Sequence, residues 1–195
     1  KSPSGRDWGI RNPRSFRILA FIGVLDSASR TAFLTFLPFL FIDKGASVEI
    51  IGLALALVFG GGAAGKFICG LIAERFGIMH TVILTELITC AGILLIIPSS
   101  IIVALALLPF VGLGLNGTSS ALYGSVAEFV DPERRSRGFS LFYTLSIGAG
   151  AASPLLFGIL SDQLGVVVTL ILVAGMVSFI VPLALLLGSS LPKSG

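Results

Sequence analysis

Charge is scarce in this chain. Only 12% of its 195 residues are charged, against about 25% in a soluble domain. Hydrophobic residues make up 55% and the mean hydropathy is +1.03, which excludes an ordinary water-soluble globule. Histidine occurs once, as His80, so no multi-histidine metal site is available. The two cysteines, Cys69 and Cys90, lie in apolar stretches without disulfide or zinc spacing and read as small packing residues. No phosphate-binding glycine loop and no nucleophile–base set is present, so neither an enzyme nor a cofactor is expected. The net charge of +3 is small, and no nucleic-acid partner is expected. The first residues are polar, so no signal peptide is visible. The chain opens on Lys1 and has methionine only at Met79 and Met176, which reads as a piece of a longer protein.

What the chain has is long apolar runs. A spanning helix needs about 20 predominantly apolar residues. Six segments meet that length, at 17–42, 50–73, 79–97, 101–129, 137–160 and 166–188. Pro98, Ser99 and Ser100 separate the third from the fourth, and Asp131, Pro132 and Glu133 the fourth from the fifth. The chain therefore divides into a lead-in at 1–16, helices 1–3 at 17–97 and helices 4–6 at 101–188. Trp8, between Asp7 and Arg11, suits either a headgroup anchor or a flexible cytoplasmic linker. The basic residues orient the helices. Lys1, Arg6, Arg11, Arg14, Arg17, Arg75, Arg134, Arg135, Arg137 and Lys193 share one side of a six-span topology, and Lys44 alone takes the other. The positive-inside rule then puts both termini in the cytoplasm. The expected setting is a lipid bilayer, the inner membrane of a bacterial cell.

One segment is written twice. Residues 60–84, GGGAAGKFICGLIAERFGIMHTVIL, return as 148–172, GAGAASPLLFGILSDQLGVVVTLIL. Nine of the 25 aligned positions are identical, including Gly70, Gly77, Thr81 and Leu84, and Glu74 aligns with Asp162. Three spans separate the copies, so their turns face opposite sides of the bilayer. That pattern is an inverted-topology repeat, a feature of secondary transporters. Both copies are rich in glycine and alanine, which predicts close packing of helices 2 and 5 against their neighbours.

Three motifs carry a family resemblance, and a fourth matches in part. GLIAERFG at 70–77 is similar to the G-x-L-x-D-R-x-G loop of the major facilitator superfamily, and GILSDQLG at 158–165 to its weaker counterpart. ERRSRGF at 133–139 is similar to the family's arginine-rich loop, and ASPLLFG at 152–158 partly matches the helix-5 motif of its antiporters. Glu74 replaces the usual Asp, His80 stands where a stronger loop is basic, and Ser153 replaces the Gly before Pro154. These weaker versions suit the C-terminal half of such a transporter. The resemblance implies an all-α membrane protein of six transmembrane helices, an inverted 3+3 repeat forming half of a major facilitator fold. Its partner would be the other six-helix half.

Charged groups at mid-bilayer cost about 2.5–3.5 kcal/mol each on insertion scales and point to function. Asp26 and Arg30 are four apart on helix 1 and share a face. They sit about 13 and 20 Å along the helix, and the resemblance implies that this helix lines the central cavity. Lys66 on helix 2 and Glu86 on helix 3 lie at similar depth. They either pair, or Lys66 faces the cavity to hold an anion or a proton, or Lys66 snorkels to the interface. Asn116, Thr118, Ser119, Ser120 and Tyr123 form a polar stripe on helix 4, of which Asn116, Ser120 and Tyr123 share one face. Tyr143 and Thr144 extend it on helix 5. The candidate substrate or proton pathway is thus Asp26, Arg30, Lys66, Asn116, Ser120, Tyr123 and Tyr143. At the cytoplasmic ends the resemblance implies a gate latch of Gly70, Glu74, Arg75, Gly77, Glu128, Arg134, Arg135 and Arg137. A solvated basic rim is the other reading of the same charges.

These residues point to a secondary carrier working by alternating access and proton-coupled, with efflux preferred from the partial helix-5 motif. Asp26, Arg30 and Lys66 together leave one positive charge, which favours a small anionic substrate or an acidic partner from the missing half. The alternatives are a self-dimerising half-transporter and a non-transporting membrane module fused to a soluble enzyme or sensor.

Overall fold

A computed structural model describes residues 8–188. Lys1, Arg6 and Lys193 of the orientation argument lie outside the described residues, as does the beginning of the lead-in. Six long helices follow one another: α1 (Pro13–Asp43), α2 (Val48–Phe76), α3 (Ile78–Ile96), α4 (Ile101–Val126), α5 (Arg135–Leu164) and α6 (Val166–Gly188). Two single-turn 3₁₀ helices, Ala127–Phe129 and Pro132–Arg134, join α4 to α5. All six long helices are apolar and long enough to cross a membrane.

α1 starts earlier than the apolar run at 17–42. Asn12 caps it, its side-chain oxygen accepting from the Ser15 amide at 3.2 Å, and Pro13 supplies a preset first-turn φ. α5 likewise runs from Arg135 to Leu164, beyond the span at 137–160, because helical hydrogen bonding continues past the apolar stretch. The two copies of the repeated segment turn in the same way. Gly77, between α2 and α3, has φ +86°, and Gly165, between α5 and α6, has φ +83°. Both conformations favour glycine over any residue with a Cβ. Their amides donate to Ala73 O at 3.0 Å and Ser161 O at 2.9 Å.

α4 packs against α2 and α3, α1 against α5 and α6, and α3 against α6. The α2–α4 contact is a meeting of backbones. A Cβ on Gly65 would lie 2.5 Å from Leu113 O, and one on Gly61 or Gly112 would run into the carbonyls of Pro109 and Val58. The expected close packing of helix 2 is therefore present. On α5 the small residues also meet a neighbour: a Cβ on Gly150 would lie 2.7 Å from Ser27 Oγ, and Ser153 Oγ donates to Ala28 O at 2.6 Å. Lipid provides no hydrophobic drive for helix association, so such close contacts hold the bundle.

Two apolar clusters fill the interior. One gathers Phe33, Phe41, Val58, Ile93, Leu108 and Val173. The other gathers Phe16, Leu19, Val82, Leu122, Phe142 and Ile180. Along α1, α3 and α4 the stretch between the two clusters is polar. It holds Asp26 and Ser29, Thr85, Glu86 and Thr89, and Thr118 and Ser119, all buried. At the other end of α1, Lys44 Nζ donates to Ile97 O at 2.7 Å and Ser99 O at 2.6 Å. The one basic residue assigned to the far side of the bilayer thus neutralises the carbonyl end of α3.

Candidate functional site

The polar layer centres on a three-membered chain. Arg30 Nη1 donates to Ser119 Oγ at 2.8 Å, and Ser119 Oγ donates to Asp26 Oδ2 at 3.2 Å. Arg30 Nη2 is also 3.9 Å from Asp26 Oδ2. The i,i+4 spacing on α1 puts acid and base on one face, and α4 inserts the hydroxyl between them. A hydroxyl has one proton to give and lone pairs to receive, so donation runs one way, from Arg30 through Ser119 to Asp26. Asp26 is 5% exposed, while the Arg30 side chain keeps 22% of its surface. Arg30 is thus the more exposed member of the pair.

Aromatic rings from α4 and α5 border this chain. Tyr123 meets Phe142 edge-on at 5.5 Å and lies 5.2 Å from Tyr143, centroid to centroid. Gly23, Asp26, Ser119, Tyr123, Phe142 and Ser146 line a narrow cleft with no room for a water molecule. Gly23 is tight for a reason: a Cβ there would lie 2.6 Å from the Phe142 ring. Any solute reaching Asp26 from this side requires α1 and α5 to part.

Of the seven expected pathway residues, Asp26, Arg30, Tyr123 and Tyr143 come together. Asn116 stands apart, with its side chain against Gly62 of α2, and its amide donates back to Gly112 O at 3.3 Å. Ser120 is half-buried on α4. Lys66 is exposed on α2. Among the described residues Lys66 and Glu86 do not pair, because Glu86 is 2% exposed, inside the bundle. The residue that sequence reasoning passed over is Ser119. It was visible in the helix-4 stripe, but the face drawn through Asn116, Ser120 and Tyr123 left it out.

At the α4–α5 end the chain forms a clamp. Ile10 and Val130 form an antiparallel β-bridge. The Arg11 amide donates to Phe129 O at 2.9 Å and the Asp131 amide to Gly9 O at 2.8 Å. Arg11 Nε adds an ion pair with Asp131 Oδ1 at 2.9 Å. Arg134 packs over Gly9. Glu74, Arg75, Gly77, Glu128, Arg135 and Arg137 are exposed around this end of the bundle, and Gly70 is exposed on α2. The Arg75 guanidinium lies 5.6 Å from the Phe76 ring centroid. No local signal announces the clamp, since its halves are about 120 residues apart.

A family model described as Major Facilitator Superfamily matches residues 19–195. The chain belongs to the Major Facilitator Superfamily. Two solved structures share the fold of this family member. One is a mutant of the peptide transporter POT in complex with sulfate, at 20% identity and TM-score 0.78, covering 90% of this chain and 38% of that one. The other is the POT family transporter PepTSo, at 19% identity and TM-score 0.75, covering 94% and 40%. The chain thus spans about two fifths of the length of the transporters it matches. No curated protein sequence matches it. The protein is an integral multi-pass membrane protein, with six helices among the described residues long and apolar enough to span.

Proposed function

We propose that the chain is a six-helix half of a secondary active transporter that moves a small molecule by alternating access. The observation that carries this reading is the Arg30–Ser119–Asp26 chain, set in a polar layer midway between two apolar clusters. Ion-paired charge held there, with one member partly exposed, is costly to bury without a use. It can be opened by a solute that competes for Arg30 or by a proton on Asp26. Either event breaks the directional chain and frees α1 from α4, which is what a gated carrier requires.

Three further elements belong to this proposal. The two three-helix sets form an inverted repeat. In support, the α2–α4 contact corresponds to the α5–α1 contact, the α3–α4 contact to the α6–α1 contact, and Gly77 to Gly165. Both termini face the cytoplasm, on the arginine distribution. The complete carrier includes a second six-helix half, supported by the length of the matched transporters and by the open apolar faces of α2 and α5. The charge argument for an anionic substrate weakens. With Lys66 exposed on α2 and Glu86 buried in the layer, two acids stand against one base, so the excess is negative.

The test is a flux screen of the complete carrier, this chain together with its second half, in liposomes, with a pH gradient imposed and a panel of peptides, sugars and organic anions and cations supplied. Accumulation of one class that collapses with a protonophore is expected, and efflux as the working direction means uptake into the lumen of inside-out vesicles. Equal flux with and without the protein across the whole panel sinks the transport reading.

A further inference from the structure

Glu86 has a different environment from the other buried charges. It sits on α3 at 2% exposure, and its Oε1 has no hydrogen-bond partner. The groups facing it can be named helix by helix. From α4 the Thr118 hydroxyl is set against the carboxyl, and Asp26 and Arg30 on α1 lie within electrostatic range. Thr118 is itself linked to Thr85 at 2.7 Å. From α2, Cys69 packs beside Gly117 and Thr85, while Lys66 is exposed. Cys90 lies one turn along α3. α6 carries no titratable side chain. Arg30 is the only base within the cluster, and it is already engaged with Ser119 and Asp26.

Two acids therefore share one base across two successive residues of α4. Ionising both leaves an uncompensated negative charge between two apolar clusters, with Arg30 the one base of the cluster. A proton is the smallest ligand that removes it. We propose that Glu86 is a proton-binding site in the bilayer core, linked to Asp26 across the Thr118–Ser119 step of α4. Loading forms an O–H bond at the carboxylate with a proton taken from water. Release breaks that bond, leaves the electron pair on the oxygen and returns the proton to water. Because Asp26 shares the field of Arg30, drawing Arg30 away exposes both acids to each other and favours loading. Drawing Arg30 back favours release. A part in coupling rests on the transport reading above, but the binding of the proton does not.

The probe is the proton alone, read by infrared spectroscopy of the intact protein in liposomes, stepped through pH with no substrate. The unmodified protein is expected to show a protonated-carboxyl band that persists to neutral pH, and Glu86→Gln is expected to delete it. Asp26→Asn is expected to keep the band and move its midpoint to lower pH by about one unit, a tenfold change in proton affinity. Absence of any such band in the unmodified protein overturns the proposal without a variant. So does a band unchanged in folded Glu86→Gln. A midpoint that stays put in Asp26→Asn overturns the link, even if Glu86→Gln fails to fold. A protein that moves no solute yet shows the band leaves the proton site standing and the transport reading fallen.

Discussion

Removing one end of the Arg30–Ser119–Asp26 chain should harm transport strongly, and removing both ends separates a structural role from a functional one. Two unit charges 3.9 Å apart attract by about 4 kcal/mol at an effective dielectric of 20. The Arg30 side chain keeps 22% of its surface, so solvent screens part of that, leaving roughly 2–3 kcal/mol. In a rate, that is about 30- to 150-fold. Arg30→Gln strands a buried carboxylate, and Asp26→Asn strands a guanidinium whose remaining partner is Ser119. Each is expected to slow initial transport by at least this factor at normal membrane expression. The double variant removes both members of the pair and leaves Glu86 as the one buried acid of the layer. If the pair only neutralises itself, combining Asp26→Asn with Arg30→Gln restores flux. If either residue meets solute or proton, the double variant is folded and as slow as the singles. The assay is initial rate in proteoliposomes, normalised to protein that elutes as a single species in detergent. Recovery to near-native flux in the double variant refutes the functional role of the pair.

Three further outcomes are expected. Glu74→Ala or Arg75→Ala slows transport while insertion stays normal, measured as flux against surface expression in vesicles; unaltered flux makes these residues a solvated rim. Single cysteines at Ser136 and Ser161 react with an impermeant maleimide from opposite sides of intact cells, and labelling from one side removes the inverted repeat. Gly65→Val drives a side chain toward Leu113 O, already 2.5 Å from the nearest Cβ position, and lowers stability by about 1–3 kcal/mol. Gly60→Ala meets nothing within 4 Å and leaves the melting temperature unchanged; equal melting of the two variants argues against backbone contact between α2 and α4.

The six spans were legible because hydropathy is a local property. A run of apolar residues bounded by Pro98–Ser100 or Asp131–Glu133 declares a helix whatever it packs against. The helix ends were less legible. Asn12 and Pro13 extend α1 through capping hydrogen bonds, which hydropathy does not register. The glycine turn at Gly77 and its copy at Gly165 were visible as a repeated motif, since a required positive φ leaves a mark in the sequence itself. The positions of Asp26, Arg30, Lys66 and Glu86 along their helices were also legible, because rise per residue is constant.

Rotation and partnership were not. Lys66 and Glu86 share a depth but not an environment, since the glycine faces of α2 turn toward α4 and leave Lys66 exposed. Ser119 rather than Ser120 joins Arg30 to Asp26, a choice between neighbouring residues about 100° apart on the helix. The clamp from Gly9, Ile10 and Arg11 to Phe129, Val130 and Asp131 pairs two segments with no matching pattern. The sequence by itself determined a six-span membrane helix bundle, the place of its charges along each helix and the glycines of its turns, because these follow from composition, spacing and backbone sterics along one helix at a time. Tertiary structure alone decided which charges meet, because that depends on how each helix is turned about its axis, and backbone contacts with its neighbours set that turn.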